Sequence, residues 1–217
     1  PDIRETFVHL DLKDFRTTVR DIEGFRIPGG KGSVEIPDQL RRLGKVKIDG
    51  YFTGFYNDFV SYADYRTELG YISTDISFKN LNEEKTIGYK GLLNTSDFNI
   101  GRLINATNYL GDVTMKAEVT GKGLTFETAD LSVDGEVQSV DFRGNDFDQI
   151  SVTGDLINKQ FNGRLSVDDE DVKLTFNGIV DYSQAIPAFD FTANIDSARL
   201  FNLNLLTRDS VVMLSTN

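Results

Sequence analysis

The sequence predicts an all-β protein with a few short helices, built as one long antiparallel sheet that curls around its own apolar face. Three observations predict this fold: short runs alternate apolar and polar residues, glycines recur on their apolar side, and turn-forming residues separate them. In residues 150–156 the apolar side carries Ile150, Val152, Gly154 and Leu156. A period of two places these residues on one face, and the glycines let the sheet bend. We therefore expect an open, U-shaped half-barrel (a "β-taco") with an apolar concave face.

The N-terminal part is predicted to begin with a short strand followed by a helix. Leu12 and Phe15 lie at helical spacing, which predicts an amphipathic helix over residues 11–22. A glycine-rich loop is expected at residues 28–33. A second short helix should then end at Gly44, where a glycine C-cap belongs.

From residue 45 onward the alternation predicts a succession of strands. The clearest predicted strands are residues 46–52, 59–67, 72–78, 86–93, 113–119, 150–156, 161–167, 172–178 and 189–195. Turn chemistry recurs at residues 121–123, 134–135 (a turn or a mid-strand glycine), 145–146, 158–159, 168–171 and 183–187. Helical spacing appears at residues 98–110, and a short helix is expected at 198–205. The alternation slips around Gln138, which predicts a β-bulge or a tight turn.

These elements group into four expected segments. They are residues 1–44, a strand, helix and loop; residues 45–97, a first β lobe; residues 98–112, a short helical interruption; and residues 113–217, a second β lobe. The sequence begins at Pro1 without Met and ends in the strand-like run 211–214. We therefore expect it to be a piece of a longer polypeptide in which the second lobe continues.

Composition excludes several classes of function. The net charge of the 217 residues is −11, which argues against a nucleic-acid partner, since phosphates need a basic face. The same charge disfavours binding to anionic lipid headgroups. The chain has no cysteine, so it can form neither a disulfide nor a thiolate metal site. No run of 18 apolar residues is present to span a membrane as a helix.

Few residues suggest chemistry. The run 29–33 lacks the spacing of a phosphate-binding loop, and His9, the sole histidine, has no Ser or Cys partner at recognisable spacing. The acidic run 168–171 falls between two alternating strands, where a solvated hairpin tip is expected. A loose calcium site and a carboxylate pair for catalysis remain the alternatives there. We expect a protein that is not an enzyme and needs no cofactor or metal.

The apolar face of the alternating strands is the remaining candidate site. Its inward positions are often Gly, Ala or Val, which are small for a core that must fill its own volume. From pattern alone, the face is either the interior of a closed sandwich or barrel, or an open surface for a hydrophobic guest.

The sequence resembles the AsmA-like superfamily, and most closely its TamB-type (translocation and assembly module) members from Bacteroidetes. The likeness lies in the order and spacing of glycines and apolar residues across roughly residues 35–205. It is carried by residues 40–54, 58–59, 67–70, 96–104, 110–113, 119–123 and 150–187.

The resemblance implies a periplasmic protein whose extended U-shaped sheet carries phospholipid acyl chains between the inner and outer membranes. It also implies an inner-membrane anchor formed by an N-terminal helix outside this sequence. A barrel protein of the outer membrane is the implied partner, through regions that this sequence lacks. The family has no active site to transfer.

We therefore expect the groove to shield lipid acyl chains or hydrophobic segments of outer-membrane proteins. The alternatives are a closed β-sandwich that binds carbohydrate or protein in the cell envelope, and an all-β enzyme with paired carboxylates. The absence of tryptophan counts against a sugar site. The predicted lining residues are Val113, Met115, Val119, Ile150, Val152, Leu156, Phe161, Leu165, Val167, Val172, Leu174, Phe176, Phe189 and Phe191.

Overall fold

The structure, a computed structural model, describes residues 6–24, 38–55, 57–80, 87–123, 127–184, 186–199 and 213–214. Its strands are β1 (Phe7–Thr18), β2 (Lys45–Phe55), β3 (Asp58–Thr67), β4 (Gly70–Lys79), β5 (Gly88–Asn99), β6 (Leu110–Lys122), β7 (Asp130–Phe142), β8 (Asn145–Ile157), β9 (Gln160–Asp168), β10 (Val172–Asp181), β11 (Ala188–Arg199) and β12 (Met213–Leu214). Three short helices are described: α1 (Val19–Glu23), α2 (Asp38–Arg41) and α3 (Ile100–Ile104).

Every strand pairs antiparallel with the next one along the chain. The order in space is β1 to β12, so eleven long strands and the two-residue β12 form one meandering sheet. The sheet stays open and does not close into a barrel. The predicted fold class is confirmed, and the closed sandwich is wrong, because the described strands form a single sheet.

The helix predicted over residues 11–22 is wrong. Strand β1 continues to Thr18, and only Val19–Glu23 is helical. The apolar spacing between Leu12 and Phe15 comes from a bulge: Leu12 pairs with Gly50 and Phe15 with Ile48, so one extra residue lies between them. A bulged strand brings residues three apart to the same face, which imitates the spacing of a helix.

A bulge also explains why the helix predicted at residues 98–110 is shorter in the structure. Helix α3 covers only Ile100–Ile104, and Phe98 belongs to β5, where it pairs with Val113 after a register shift that follows Thr95. Strand β6 begins at Leu110. The division of the chain into lobes stays a prediction.

The turns predicted at residues 158–159 and 168–171 are confirmed, and the described residues of 183–187 lie between β10 and β11 as expected. The turn predicted at 121–123 is wrong for its first two residues, because Gly121 and Lys122 belong to β6. The turn expected at 145–146 is wrong, because the chain turns at residues 143–144 and β8 begins at Asn145.

Two features of β7 were left open by the sequence. The glycine at residues 134–135 lies inside the strand and makes no turn. The slip at Gln138 is a bulge, since Thr114 pairs with Ser139 and Met115 with Val137.

Two predicted segments fall partly or wholly outside the described residues. Ala198 and Arg199, assigned to a helix by the sequence pattern, lie in β11. The rest of that segment, and the glycine-rich loop at 28–33, lie outside the described residues.

All three helices lie at the same ends of the strands and form what we call the helical rim (residues 19–24, 38–44 and 100–109). Two arginines link them. Arg41 Nε lies 2.7 Å from the Glu23 carboxylate, and Arg42 Nη1 donates to the carbonyl oxygen of Leu103 at 2.7 Å, at the end of α3. The helical rim therefore runs continuously beside the first six strands.

Glycines kink the strands where neighbouring backbones approach closely. Gly91 in β5 has a φ of +149°, and a Cβ added there would overlap the carbonyl oxygen of Asp75 in β4. Gly178 in β10 has a φ of +148° and would meet Asp190 and Phe191 in the same way. L residues rarely adopt this backbone conformation, so glycine is required at these positions.

Replacing Gly91 with alanine should destabilise the sheet. The strained backbone alone should lower the free energy of unfolding by about 1–3 kcal/mol, and the overlap with β4 adds to this. Urea denaturation followed by circular dichroism measures the change. Gly88→Ala in the same strand is the matched control, since its added Cβ would find its nearest neighbour at 3.8 Å. Equal stability of the two variants would contradict the role of Gly91.

Candidate functional site: the apolar inner face

Strand pairing aligns the apolar positions of β1 to β11 in rows, because directly opposed residues project from the same face. We call the four complete rows the inner face. Strand by strand, its residues are Val8, Leu10, Leu12, Phe15; Ile48, Gly50, Phe52, Gly54; Phe59, Ser61, Ala63, Tyr65; Ile72, Thr74, Ile76, Phe78; Tyr89, Gly91, Leu93, Thr95; Met115, Ala117, Val119, Gly121; Leu131, Val133, Gly135, Val137; Ile150, Val152, Gly154, Leu156; Phe161, Gly163, Leu165, Val167; Leu174, Phe176, Gly178, Val180; and Phe189, Phe191, Ala193, Ile195.

No charged residue, histidine or side-chain amide occupies any position of the inner face. The opposite face of the sheet, which we call the outer face, carries the polar residues that alternate with the inner-face residues along each strand. In β7, for example, Ser132, Asp134 and Glu136 are exposed. One side of the sheet is therefore uncharged over eleven strands, whereas the other carries the charged residues together with exposed apolar ones such as Val60 and Leu92.

The structure places all fourteen predicted lining residues on this side of the sheet. Twelve belong to the inner face as defined above. Val113 extends it by pairing with Phe98 and Val140, and Val172 lies one alternation before Leu174. Whether these residues contact a guest stays a prediction.

Three of the fourteen are buried by the protein itself. Val113, Ile150 and Val167 are only 5%, 9% and 8% exposed. They therefore pack against other residues of the protein and leave little surface for a guest. Phe189 and Phe191 are the opposite case, with 58% and 48% of their surface exposed.

Ser61, Tyr65, Thr74 and Thr95 on the inner face form hydrogen bonds within the protein. Ser61 Oγ lies 2.6 Å from Tyr65 Oη and 3.2 Å from Thr74 Oγ1. Thr95 Oγ1 donates to the carbonyl oxygen of Val113 at 3.0 Å. Burial raises the pKa of Tyr65 above its ordinary value, against the opposing effect of its hydrogen bonds. These hydroxyls therefore add little polarity to the surface that a guest would meet.

The first half of the inner face is packed by the protein's own side chains. Val19 from α1 joins Val46, Ile48 and Ala63 in a buried cluster. Leu12, Leu43, Phe52 and Tyr65 pack against this cluster.

Aromatic contacts and burial continue this packing towards β4. The ring of Phe59 lies 5.9 Å from that of Phe52 and 5.5 Å from that of Phe78. Ser61 is fully buried and Ile76 is 5% exposed. The inner face is therefore largely packed over β2 to β4, whereas Leu10 and Phe15 in β1 remain 47% and 44% exposed.

The second half, from β7 to β11, is only half-buried. Val152, Leu156, Leu165 and Leu174 all keep intermediate exposure. No second layer covers them, because the described strands form a single sheet.

The predicted lining omits the inner-face residues contributed by β1 to β5 and by β7. The sequence does show these residues as an alternation of apolar and polar positions, for example at Leu131, Val133 and Val137 in β7. Bulges in β1, β5 and β7 interrupt the period of two, which hid continuity that only the pairing reveals.

Other candidate residues lie on the outer face or in turns. His9 Nδ1 lies 2.7 Å from Thr53 Oγ1, and its ring stacks on Tyr51. Asp169 is buried in the β9–β10 turn, where its carboxylate accepts hydrogen bonds from the backbone N–H groups of Asp171 and Asp148 at 2.7 and 2.9 Å. The predicted hairpin tip is thus braced by one of its own carboxylates.

Two features are absent from the described residues. No group of three or more His, Cys, Asp or Glu side chains is arranged to hold a metal ion. No described helix has the length and apolar character needed to cross a membrane.

The fold and the site define a class of protein: an open, single-layer antiparallel sheet with an uncharged inner face. Comparison with protein-family models, with characterised proteins and with solved structures finds no match to this chain.

The stability of the packed half should depend on pH at the alkaline end. An unfolded tyrosine ionises near pH 10.0, whereas buried Tyr65 keeps its proton to higher pH. Ionisation therefore favours the unfolded state, and the free energy of unfolding should fall as pH rises above about 10. Urea denaturation between pH 8 and pH 11 measures the slope, which Tyr65→Phe should reduce.

The control for this experiment is Tyr62→Phe, which removes an exposed phenol from the outer face of the same strand. If both variants change the slope equally, Tyr65 is not the group responsible.

Proposed function

We propose that this chain is a segment of a periplasmic bridge-like protein whose apolar groove shields lipid acyl chains between the inner and outer membranes. Hydrophobic segments of outer-membrane proteins are the other client that such a groove could accept. One observation carries the proposal: an inner face without a single charge is left half-exposed over β7 to β11. Proteins rarely leave so large an apolar surface uncovered unless it binds something.

The energetics of lipid transfer fit such a surface. Each methylene exposed to water costs about 0.8 kcal/mol, so a chain of about 16 carbons opposes passage through water by roughly 10 kcal/mol. An apolar surface removes most of this cost without a specific binding pocket. The uncharged inner face offers that surface and no group that would hold one lipid permanently.

The outer face supports the same proposal from the other side. Its acidic residues contribute to the net charge of −11. A high net charge favours the solubility of a sheet that has one apolar face. No nucleotide, metal or catalytic group enters the proposed function.

The resemblance to TamB-type proteins of the AsmA-like superfamily adds the cellular setting to this proposal. In that setting the protein lies in the periplasm, is anchored to the inner membrane by an N-terminal helix outside this sequence, and meets a barrel protein at the outer membrane through regions that this sequence lacks.

A charge placed on the inner face should abolish lipid binding without unfolding the sheet. Leu165→Asp puts a carboxylate in the middle of the half-exposed half, where a bound acyl chain would have to desolvate it. We expect the purified variant to retain much less co-extracted phospholipid than the parent, measured by mass spectrometry of organic extracts.

Asn162→Asp is the matched control, because it adds one negative charge at an exposed, outward-facing position of the same strand. It should keep the lipid content of the parent. Circular dichroism establishes that both variants keep their strands. Lipid retained by Leu165→Asp at the parent's level would refute the proposed function.

A further inference from the structure

We infer that the outer face of β1 to β4 is a docking surface for a basic protein segment, whose arginine side chains stack on Tyr51 and Tyr62. The inference goes beyond the proposed function and does not depend on it, because it concerns the face opposite the apolar groove. We call this surface the tyrosine patch. It comprises five exposed aromatic and aliphatic residues and the four carboxylates beside them, namely Phe7, Tyr51, Phe55, Val60 and Tyr62 with Asp11, Asp49, Asp64 and Asp75.

The aromatic and aliphatic members of the tyrosine patch are exposed and adjacent. Each of the five is between 43% and 61% exposed. Phe7 pairs directly with Phe55, and Tyr51 pairs directly with Tyr62. Val60 lies between these two pairs, one alternation from Tyr62 along β3. Strand pairing therefore gathers them into one surface.

This concentration is specific to the first strands. Over β6 to β11, Ile157 is the single exposed large apolar side chain that the described residues place on the outer face, and it lies at the end of β8. Contiguous apolar groups that face water mark interaction sites, whereas isolated ones need no explanation. The tyrosine patch is therefore the candidate interaction site of the outer face.

Ring contacts hold the patch in one arrangement. The rings of Phe7 and Phe55 meet edge to face, with centroids 5.5 Å apart. The His9 ring stacks on Tyr51 at 6.0 Å, and its Nδ1 lies 2.7 Å from Thr53 Oγ1. Side chains that are already ordered lose little conformational entropy when a partner binds.

Carboxylates frame the two tyrosines. Asp11 pairs with Tyr51 and Asp75 with Tyr62, in one row across the outer face. Asp49 and Asp64 oppose each other in the next row.

A cavity of about 240 Å³ lies among these side chains, lined by both tyrosines and by Asp11, Asp49 and Asp64. Lys13 is the single basic residue among the described residues that line it, and its Nζ lies 3.3 Å from the Asp11 carboxylate. The site is therefore negative overall and repels anionic ligands.

Aromatic rings beside carboxylates suit a guanidinium group. This group is planar and weakly hydrated, so it stacks on a ring while its N–H groups donate to a carboxylate. A lysine ammonium is more strongly hydrated and lacks the planar shape. Tyr62 with Asp75, and Tyr51 with Asp11, each offer this combination.

The apolar part of the patch indicates a protein segment as the source of the guanidinium. Phe7, Phe55 and Val60 extend the surface beyond the carboxylates and would stay exposed against a small cation. Protein interfaces combine aromatic residues and arginine at their centre. The partner chemistry is thus a segment in which arginine alternates with apolar residues.

The test uses a fluorescein-labelled peptide that alternates arginine and leucine, and fluorescence anisotropy measures its binding to the whole chain. A peptide with lysine in place of arginine carries the same charge and serves for comparison. Tyr62→Leu removes the ring and keeps an apolar side chain. Tyr182→Leu makes the same change at an exposed tyrosine outside the patch.

We expect the arginine peptide to bind the parent more tightly than the lysine peptide does. Tyr62→Leu should lower its affinity about two- to fivefold, as expected for a lost cation–π contact at an exposed site. Asp75→Asn should lower it as well. Tyr182→Leu should bind like the parent, and so should Asp190→Asn, which removes a charge from the outer face of β11.

Equal affinities for the two peptides, or an unchanged affinity of Tyr62→Leu, would overturn the inference, because the patch would then attract any cation. A parent dimer that Tyr62→Leu dissociates, seen by sedimentation, would overturn it in favour of a second copy of the chain. Binding of maltoheptaose that Tyr62→Leu abolishes would overturn it in favour of a carbohydrate. None of these outcomes alters the amount of lipid extracted with the inner face.

Circular dichroism checks that each variant keeps its strands. Should Tyr62→Leu lose them, Tyr51→Leu tests the same patch from the neighbouring strand, with the same expected loss of affinity.

Discussion

The structure depends on the register in which neighbouring strands pair. In a sheet, a slip of one residue moves every side chain of a strand to the opposite face. Here eleven strands keep their pairing so that apolar rows never mix with the acidic residues of the outer face. The bulges in β1, β5 and β7 preserve this separation, because each realigns a strand whose sequence departs from strict alternation. Without them Phe15, Phe98 or Val140 would face water on the polar side.

A single sheet with one apolar face must either bend over that face or leave it to water. Glycines with φ near +150°, such as Gly91 and Gly178, kink the strands where neighbouring backbones touch. Curvature alone does not fill the volume it encloses. Over β2 and β3 the inner face is packed by Val19, Phe52 and Tyr65, whereas the described residues form no comparable buried cluster over β7 to β11, where the surface stays half-exposed. The same sheet thus contains a self-packed part, which stabilises it, and a part whose apolar side chains stay partly exposed.

These two parts explain why stability and the proposed binding can be separated in this protein. Buried Ile150 and Val167 lie in the row nearest the helical rim and pack beneath the surface, while Leu165 and Phe176 remain partly accessible one row further in. A substitution in the accessible row changes the surface that a lipid would meet. A substitution in the packed half changes the free energy of unfolding instead. The proposed transfer of acyl chains needs only the partly exposed side chains of the inner face. The packed side chains stabilise the sheet that carries them.

The sequence by itself determined the fold class, most of the strands, some of the turns, and the side of the sheet that is apolar. Those features follow from local period and turn chemistry, which are written in neighbouring residues such as Ile150, Val152 and Leu156. It predicted a helix for residues 11–18, which belong to strand β1, because a bulge and a helical turn place apolar residues at the same spacing. Only the tertiary structure decided that the inner face is packed over β2 and β3. That outcome depends on α1 reaching β2 and β3 across the sheet, a contact between distant residues that no local pattern records.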